Sequence, residues 1–402
     1  MAMADKAAPL GTYLVLALRG LESLVVEEIQ ATLQVDELQV CSVEADPQQP
    51  HVNVFQGEAA VGRILLRTRS PPRAVRSLRS AQAILAFLTS SDDIVTSDKS
   101  GVDQVAGLIA DADWTSALEL WHAHMRELRP DRFPDASLPS RPLFRGSCVR
   151  DGRHAFQSVD IAGEIGAVLI ERFGWQVDLV KCDLEVVCLL FHRHMIAGIA
   201  LSNPADGLYK NRIVNEPRPF LADSKYVSTL RPSTAYLMLQ LARYEPGDVV
   251  LDSMCGVGTI PICSADFSSN EVFALGGELD ALPVEKAGRN ARTAPRLTDV
   301  CQWDSTRLPL RSATVDRVVI DLPFGNRCSN PRAMSKVYPK VMKELYRVLR
   351  PHGGRAVLLT TLRKTFQNAA LQAAPFTLLQ TLEVSIGGMS CCIYVLEKRG
   401  AA

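Results

Sequence analysis

From Val227 onward, buried strand-like runs alternate with helical segments, and that rhythm constrains the fold more than any other feature of the chain. Predicted strands cover Val249–Asp252, Val272–Glu278, Val315–Asp321 and Ala356–Thr361, with helices between them and at Ser233–Arg243 and Val337–Leu349. Short apolar strands separated by helices call for a doubly wound parallel sheet, because each parallel connection must cross a face of the sheet and a helix covers it. In the last helix Tyr338, Val341, Leu345 and Val348 form one stripe, and Pro351-His-Gly-Gly stops it. The end of the chain breaks the rhythm. Leu378–Ile386, Gly387-Gly388 and Cys391–Leu396 read as a β-hairpin, which makes the last strand antiparallel.

The front half is less regular. Its predicted elements are a strand at Thr12–Leu18, a helix marked by Leu21, Leu24, Val25 and Ile29, and, after Pro71-Pro72, a helical stretch over Val75–Leu88. Acidic residues 91–104 read as a loop, Trp114–Leu128 as a short helix, and the polar, Pro-rich residues 129–142 as a connection. A strand begins at Phe144, a helix covers Ile161–Phe173, and Leu184–Phe191 with Met195–Leu201 suggests a hairpin. Residues 203–225, with Pro204, Pro217 and Pro219, form the expected linker. The chain's 402 residues exceed the ~250–300 that one core supports, so two or three domains are expected.

Composition excludes some classes. A hydrophobic content of 47% with 22% charged residues is globular rather than disordered, and no run reaches the ~18–20 apolar residues of a membrane span. Tyr13–Leu18 resembles the core of a signal peptide, but Asp5 precedes it, Arg19 closes it and no small-residue cleavage site follows, which favours a buried strand. The 10 cysteines include no Cys-x-x-Cys pair, and the 7 histidines do not cluster, so neither disulfides nor a metal site is expected. Free thiols fit a cytoplasmic or nuclear protein.

Charge is balanced overall, 44 basic against 44 acidic residues, but segregated. Residues 61–80 carry Arg63, Arg67, Arg69, Arg73, Arg76 and Arg79 with no acid, and 325–364 carry ten basic residues against Glu344. Such stripes fit a polyanion binder; solvated helix faces are the alternative.

The chemistry concentrates at the carboxyl ends of the predicted parallel strands. Asp252-Ser-Met-Cys-Gly-Val-Gly-Thr259 joins the first strand to a helix, and Gly256 and Gly258 let backbone approach a ligand. Pro261 stands where a dinucleotide fingerprint has its third glycine, and no Gly-Lys-Ser/Thr follows. Asp252 disfavours a pyrophosphate and suits a ligand bearing a sulfonium and an ammonium. Glu278, or alternatively Asp280, is placed to accept ribose hydroxyls. Asp304 is placed to accept from an adenine amino group, or merely caps a turn. Asp321-Leu-Pro-Phe324 ends the fourth strand and is similar to the Asp/Asn-Pro-Pro-aromatic motif of amino-group methyltransferases. A base amine is a poor nucleophile because its lone pair is delocalised into the ring. The Asp321 carboxylate and the Leu322 carbonyl can hold its hydrogens, Pro323 stiffens the turn, and Phe324 can stack on the base.

DSMCGVGT at 252–259, CQWD at 301–304, DLPFGNR at 321–327 and YPKVMKELYRVL at 338–349 resemble the THUMP-domain-containing RNA guanine-N2 methyltransferases. So do RGLESLVVEEI at 19–29, LRSAQAILAFL at 78–88, FRGSC at 144–148, FGWQVDL at 173–179 and GIALS at 198–202. The resemblance departs at Ser253, where the family usually has proline, and Leu322 departs from the amino-group motif, where proline is usual. It implies a ferredoxin-like domain at 1–105, a THUMP domain at 106–202, a linker at 203–225, and a Rossmann-like S-adenosylmethionine-dependent domain at 226–402. It further implies S-adenosyl-L-methionine as cofactor, held by Asp252, Cys255, Gly256, Gly258, Thr259, Glu278 and Asp304. Thr229 and Arg231 match a stretch at the family's cofactor pocket, though a helix N-terminus explains them as well. The implied partners are the acceptor stem and 3′ end of tRNA and a small zinc-binding activator subunit. The arginines expected to meet RNA are Arg145, Arg150, Arg153, Arg67 and Arg73.

Overall fold

In a computed structural model, the described residues are 10–41, 53–130, 133, 141–201, 229–269, 271–294, 296, 298–323 and 331–399. They fall into two compact units divided at Asn215/Glu216. The expected linker 203–225 lies outside the described residues.

The first unit contains β1 (Gly11–Ala17), α1 (Glu22–Thr32), β2 (Val35–Val40), β3 (Gly62–Thr68), α2 (Pro72–Arg76), β4 (Ala83–Ser91), α3 (Ser100–Ala110) and α4 (Trp114–Leu128). It continues with β5 (Leu143–Asp151), α5 (Ser158–Phe173), β6 (Gln176–Val177), β7 (Leu184–Phe191) and β8 (His194–Ala200). All eight strands form one sheet in the order β2-β3-β1-β4-β8-β7-β5-β6. The apolar run Tyr13–Leu18 lies buried at its centre. β4 pairs with β8, so strands on both sides of residue 105 share one sheet, and that residue sits inside α3, which packs on α5. A division of 1–105 from 106–202 therefore coincides with no break in the sheet. The structure also corrects the helix expected over Val75–Leu88. Only 72–76 is helical, and Ala83–Leu88 is strand. That run, Ala-Ile-Leu-Ala-Phe-Leu, is apolar throughout, so its period does not separate a doubly buried strand from a buried helix; pairing with β1 and β8 decides it.

The second unit follows the predicted rhythm. Its elements are α6 (Pro232–Ala242), β9 (Val249–Asp252), α7 (Thr259–Phe267), β10 (Phe273–Glu278), α8 (Ala281–Thr293), β11 (Asp299–Gln302) and β12 (Arg317–Asp321). They continue with α9 (Pro331–Val348), β13 (Arg355–Thr360), β14 (Phe376–Ile386) and β15 (Met389–Lys398). The sheet order is β11-β10-β9-β12-β13-β15-β14. β9 to β13 run parallel, and β15 is antiparallel to both β13 and β14. This is the Rossmann-like fold with a terminal antiparallel hairpin that the sequence predicts. α9 starts before the expected Val337 and runs through Pro339. It lays Tyr338, Val341, Leu345 and Val348 on the core formed with Val318, Ile320 and Leu358. The strand order reverses between β9 and β12, so their carboxyl ends open a crevice where α/β sheets bind ligands.

Candidate active site

Two strand ends shape that crevice, and glycine geometry shapes its floor. After β9 the chain turns through Gly256 at φ 54° and Gly258 at φ 91°, a left-handed region open to glycine at little cost. A Cβ at Gly256 would meet no atom of the described residues within 4 Å, so the loop borders open space among them. Cys255 N–H donates to the Gly277 carbonyl at 2.8 Å, and Asn290 of α8 donates from Nδ2 to the Val257 carbonyl at 2.9 Å, tying the loop to β10 and α8. Gly258 caps α7, and Thr259 is its first residue, buried.

The β10 glycines have a different reason. A Cβ at Gly277 would lie 1.7 Å from Cε2 of Trp303, and one at Gly276 would lie 2.9 Å from Pro261 and 3.1 Å from the Cys255 sulfur. Trp303 is buried and donates from Nε1 to the Ser253 carbonyl at 3.2 Å; the Ser305 hydroxyl donates to the same carbonyl. The sequence motifs assign no role of their own to Trp303 or Asn290. A tryptophan between Gln302 and Asp304, opposite a Gly-Gly pair, was the available signal.

Three carboxylates gather here. Asp252 is buried, accepts from Met254 N–H at 3.0 Å, and is held well above the usual carboxylate range by burial, with the charges of Asp321 and Glu278 adding to the shift. Glu278 accepts from Gly256 N–H at 3.0 Å through one oxygen and from Leu279 N–H at 2.7 Å through the other. Each oxygen retains a lone pair, so the carboxylate can also accept ribose hydroxyls while it braces the loop. Burial pushes Asp321 up to about 7, and its buried Oδ1 has no hydrogen-bond partner among the described residues. Burial also raises the Cys255 thiol, and it pushes Cys391 up to about 12 with help from the charge of Asp321. The electrostatic neighbours of Asp252 are thus acidic, an environment suited to a cationic ligand.

Asp321 ends β12, and the chain then passes through buried Leu322 and half-buried Pro323. Leu322 N–H donates to the Leu359 carbonyl of β13 at 2.9 Å. Phe324 lies outside the described residues. Asp304 is exposed and accepts from Thr306 N–H at 2.8 Å, which holds its carboxyl below the usual range; this is the turn-capping alternative made concrete. Thr229 and Arg231 directly precede α6, and Pro232 opens it, as the helix-start alternative requires.

The arginines do not form one free stripe. Arg63 is buried in the sheet of the first unit, and Arg67 pairs with Glu37 at 2.8 Å and Arg76 with Glu127 at 2.7 Å. Arg145 pairs with Glu185 at 2.6 Å, so a phosphate would have to compete with that pair for its guanidinium. Arg150 bonds His154 at 2.8 Å; Arg73 and Arg153 are exposed. In the second basic stretch Arg347 is held by Glu344 and Arg350 by Asp316.

Residues 222–391 match the family model described as RMKL-like, methyltransferase domain. This segment is a methyltransferase domain. The chain is 33% identical over 272 residues to the tRNA (guanine(6)-N(2))-methyltransferase THUMP3 of Bos taurus, covering 63% of this chain and 51% of that protein. It is 29% identical over 244 residues to the U6 snRNA (guanine-N(2))-methyltransferase THUMPD2 of Mus musculus, covering 59% of this chain and 42% of that protein. The chain thus spans about half the length of the curated relatives it matches. The crystal structure of TrmN from Thermus thermophilus superposes with a TM-score of 0.66 at 22% identity, over 96% of this chain and 99% of that one, so the fold is shared. The resemblance to guanine-N2 methyltransferases read from the sequence is thereby shown. No helix among the described residues is long and apolar enough to cross a membrane.

Proposed function

We propose that this chain transfers a methyl group from S-adenosylmethionine to the exocyclic N2 of a guanosine in the acceptor stem of tRNA. The observation that carries this reading is Asp321: a half-buried residue at the switch point of the sheet whose buried Oδ1 accepts no hydrogen bond from the described residues. An orphaned buried acceptor is costly, and a base amine supplies the donor it lacks. The cofactor fits the adjoining residues. Asp252 and Glu278 line its site with acidic groups, and a sulfonium or ammonium beside Asp252 would favour its ionised form against the burial that raises its pKa, while the open space at Gly256 leaves room for a backbone-hugging ligand. When bound, S-adenosylmethionine supplies an electrophilic methyl group on sulfur.

The residues of the chain do the rest. The Asp321 carboxylate accepts one N2 hydrogen and the Leu322 carbonyl the other, which favours a pyramidal nitrogen with its lone pair free. N2 must lose one proton on methylation, and a carboxylate with a pKa of about 7 at Oδ1 is suited to receive it. One stacked base contributes only ~1–3 kcal/mol, too little to choose among many guanines. Selection therefore rests on the first unit, read as ferredoxin-like and THUMP portions gripping the 3′ end, with Arg73 and Arg153 as its exposed candidates for phosphate contact. A small zinc-binding activator subunit completes the proposed complex.

The test is to incubate the full chain, with and without that activator, with labelled cofactor and fractionated RNA, and to identify the labelled nucleoside by mass spectrometry. N2-methylguanosine in tRNA is expected. Label confined to small nuclear RNA would transfer the reading to the other relative's activity, and the absence of labelled N2-methylguanosine would refute it.

A further inference from the structure

The Asp321–Pro323 segment is held from behind by a buried chain of hydroxyls. Tyr338, on α9 and 1% exposed, donates its hydroxyl hydrogen to the Pro323 carbonyl at 2.8 Å. The same oxygen lies 3.3 Å from the Thr360 hydroxyl at the end of β13, and Thr360 Oγ1 accepts from Leu362 N–H at 3.0 Å. Hydrogen-bond directions are consistent along the whole path. Leu362 N–H points to Thr360, which is then free to donate to Tyr338, whose own hydrogen is spent on Pro323. We propose that Tyr338, backed by Thr360, is a positioning residue that sets the orientation of the Leu322 carbonyl.

Geometry gives the reason. Leu322 N–H is anchored to the Leu359 carbonyl at 2.9 Å, and the Pro323 carbonyl is anchored to Tyr338 at 2.8 Å. The proline ring fixes φ between those anchors at about −65°. With both ends held and the intervening φ locked, the peptide plane carrying the Leu322 carbonyl has little freedom left. The motif has leucine where a second proline is usual, so one intrinsic constraint is missing, and the Tyr338 anchor supplies rigidity from outside. Burial holds the Tyr338 phenol up at about 12, so it keeps its proton through the working range of pH and the anchor does not titrate away.

This inference rests on the reading of Asp321 and Leu322 as acceptors for the amine. Tyr338→Phe keeps the ring and its packing and deletes only the donor. Expected is a drop in kcat of roughly ten- to a hundredfold, the scale of a small misplacement of reacting groups, with cofactor affinity and KM unchanged. Thr360→Val should give a smaller loss, and Thr360→Ser should restore the wild-type value. A second readout needs no turnover: in the full chain, hydrogen exchange of the Leu322 amide should quicken in Tyr338→Phe while exchange in β9 and β10 stays unchanged. Wild-type exchange at Leu322 would overturn the inference whatever the turnover. So would faster exchange with wild-type kcat on whichever RNA the wild-type chain methylates. If the wild type methylates an atom other than guanine N2, the proposed function fails, while the exchange measurement still decides the anchor.

Discussion

Replacing Asp321 with asparagine should make the protein less active and, at alkaline pH, relatively more stable. The carboxyl stands at about 7 because burial disfavours its charge, against 3.8 for a free aspartate. A group with a raised folded-state pKa contributes its stability below the unfolded value and loses it as pH rises through the folded value. Ionised at pH 8, Asp321 therefore costs at most about 4 kcal/mol relative to acid conditions, and less to the extent that this partly exposed residue keeps water. Asparagine carries no charge and escapes that loss. The stability difference between variant and wild type should rise between pH 4 and pH 8, as read by urea unfolding at intermediate pH values. Methyl transfer by Asp321→Asn should fall by ~10²–10³, because a positioned acceptor is replaced by a group that also donates, while cofactor affinity stays close to wild type. Wild-type activity should increase as pH passes through about 7. A variant with wild-type turnover would remove Asp321 from the mechanism. A stability difference that stays flat with pH would refute the burial argument, and with it the idea that this carboxylate waits for a donor.

Gly256→Val, which puts a branched side chain into open space at φ 54°, and Glu278→Ala, which deletes the loop brace and ribose acceptor, should both weaken cofactor binding. Calorimetry on the two variants checks this, and unaltered affinity in both would misplace the pocket. Gly277→Ala should destabilise the second unit by at least ~1–3 kcal/mol, since its Cβ would stand 1.7 Å from the Trp303 ring; a melting temperature equal to wild type would contradict that packing. Removing the single-stranded 3′ end of tRNA should impair methylation far more than changing stem pairs away from the target. Equal rates on trimmed and intact tRNA would move recognition out of the first unit.

What the sequence determined here is what short-range chemistry controls. The alternation of strands and helices, the Gly-Gly hairpin and the turns at 252–259 and 321–323 follow from apolar period and from glycine and proline. Those signals act within a few residues and survive in any context. The methyltransferase domain was legible for the same reason, since its motifs at 252–259 and 321–323 sit in such turns. Tertiary structure decided what depends on partners distant in sequence. Ala83–Leu88 is a strand because β1 and β8 flank it, which no local period records. Arg63 and Arg145, alike on paper to exposed Arg153, are respectively buried in the sheet and held by Glu185. Tyr338 reads in sequence as one more apolar residue of a helix stripe, and only the approach of α9 to Pro323 and Thr360 gives its hydroxyl a purpose. Asp321 is acidic in any reading, but its raised pKa and an Oδ1 without a partner among the described residues exist only once the fold has buried that oxygen. Burial is a property of the whole chain's packing, and it sets the charge state on which the proposed chemistry of this site depends.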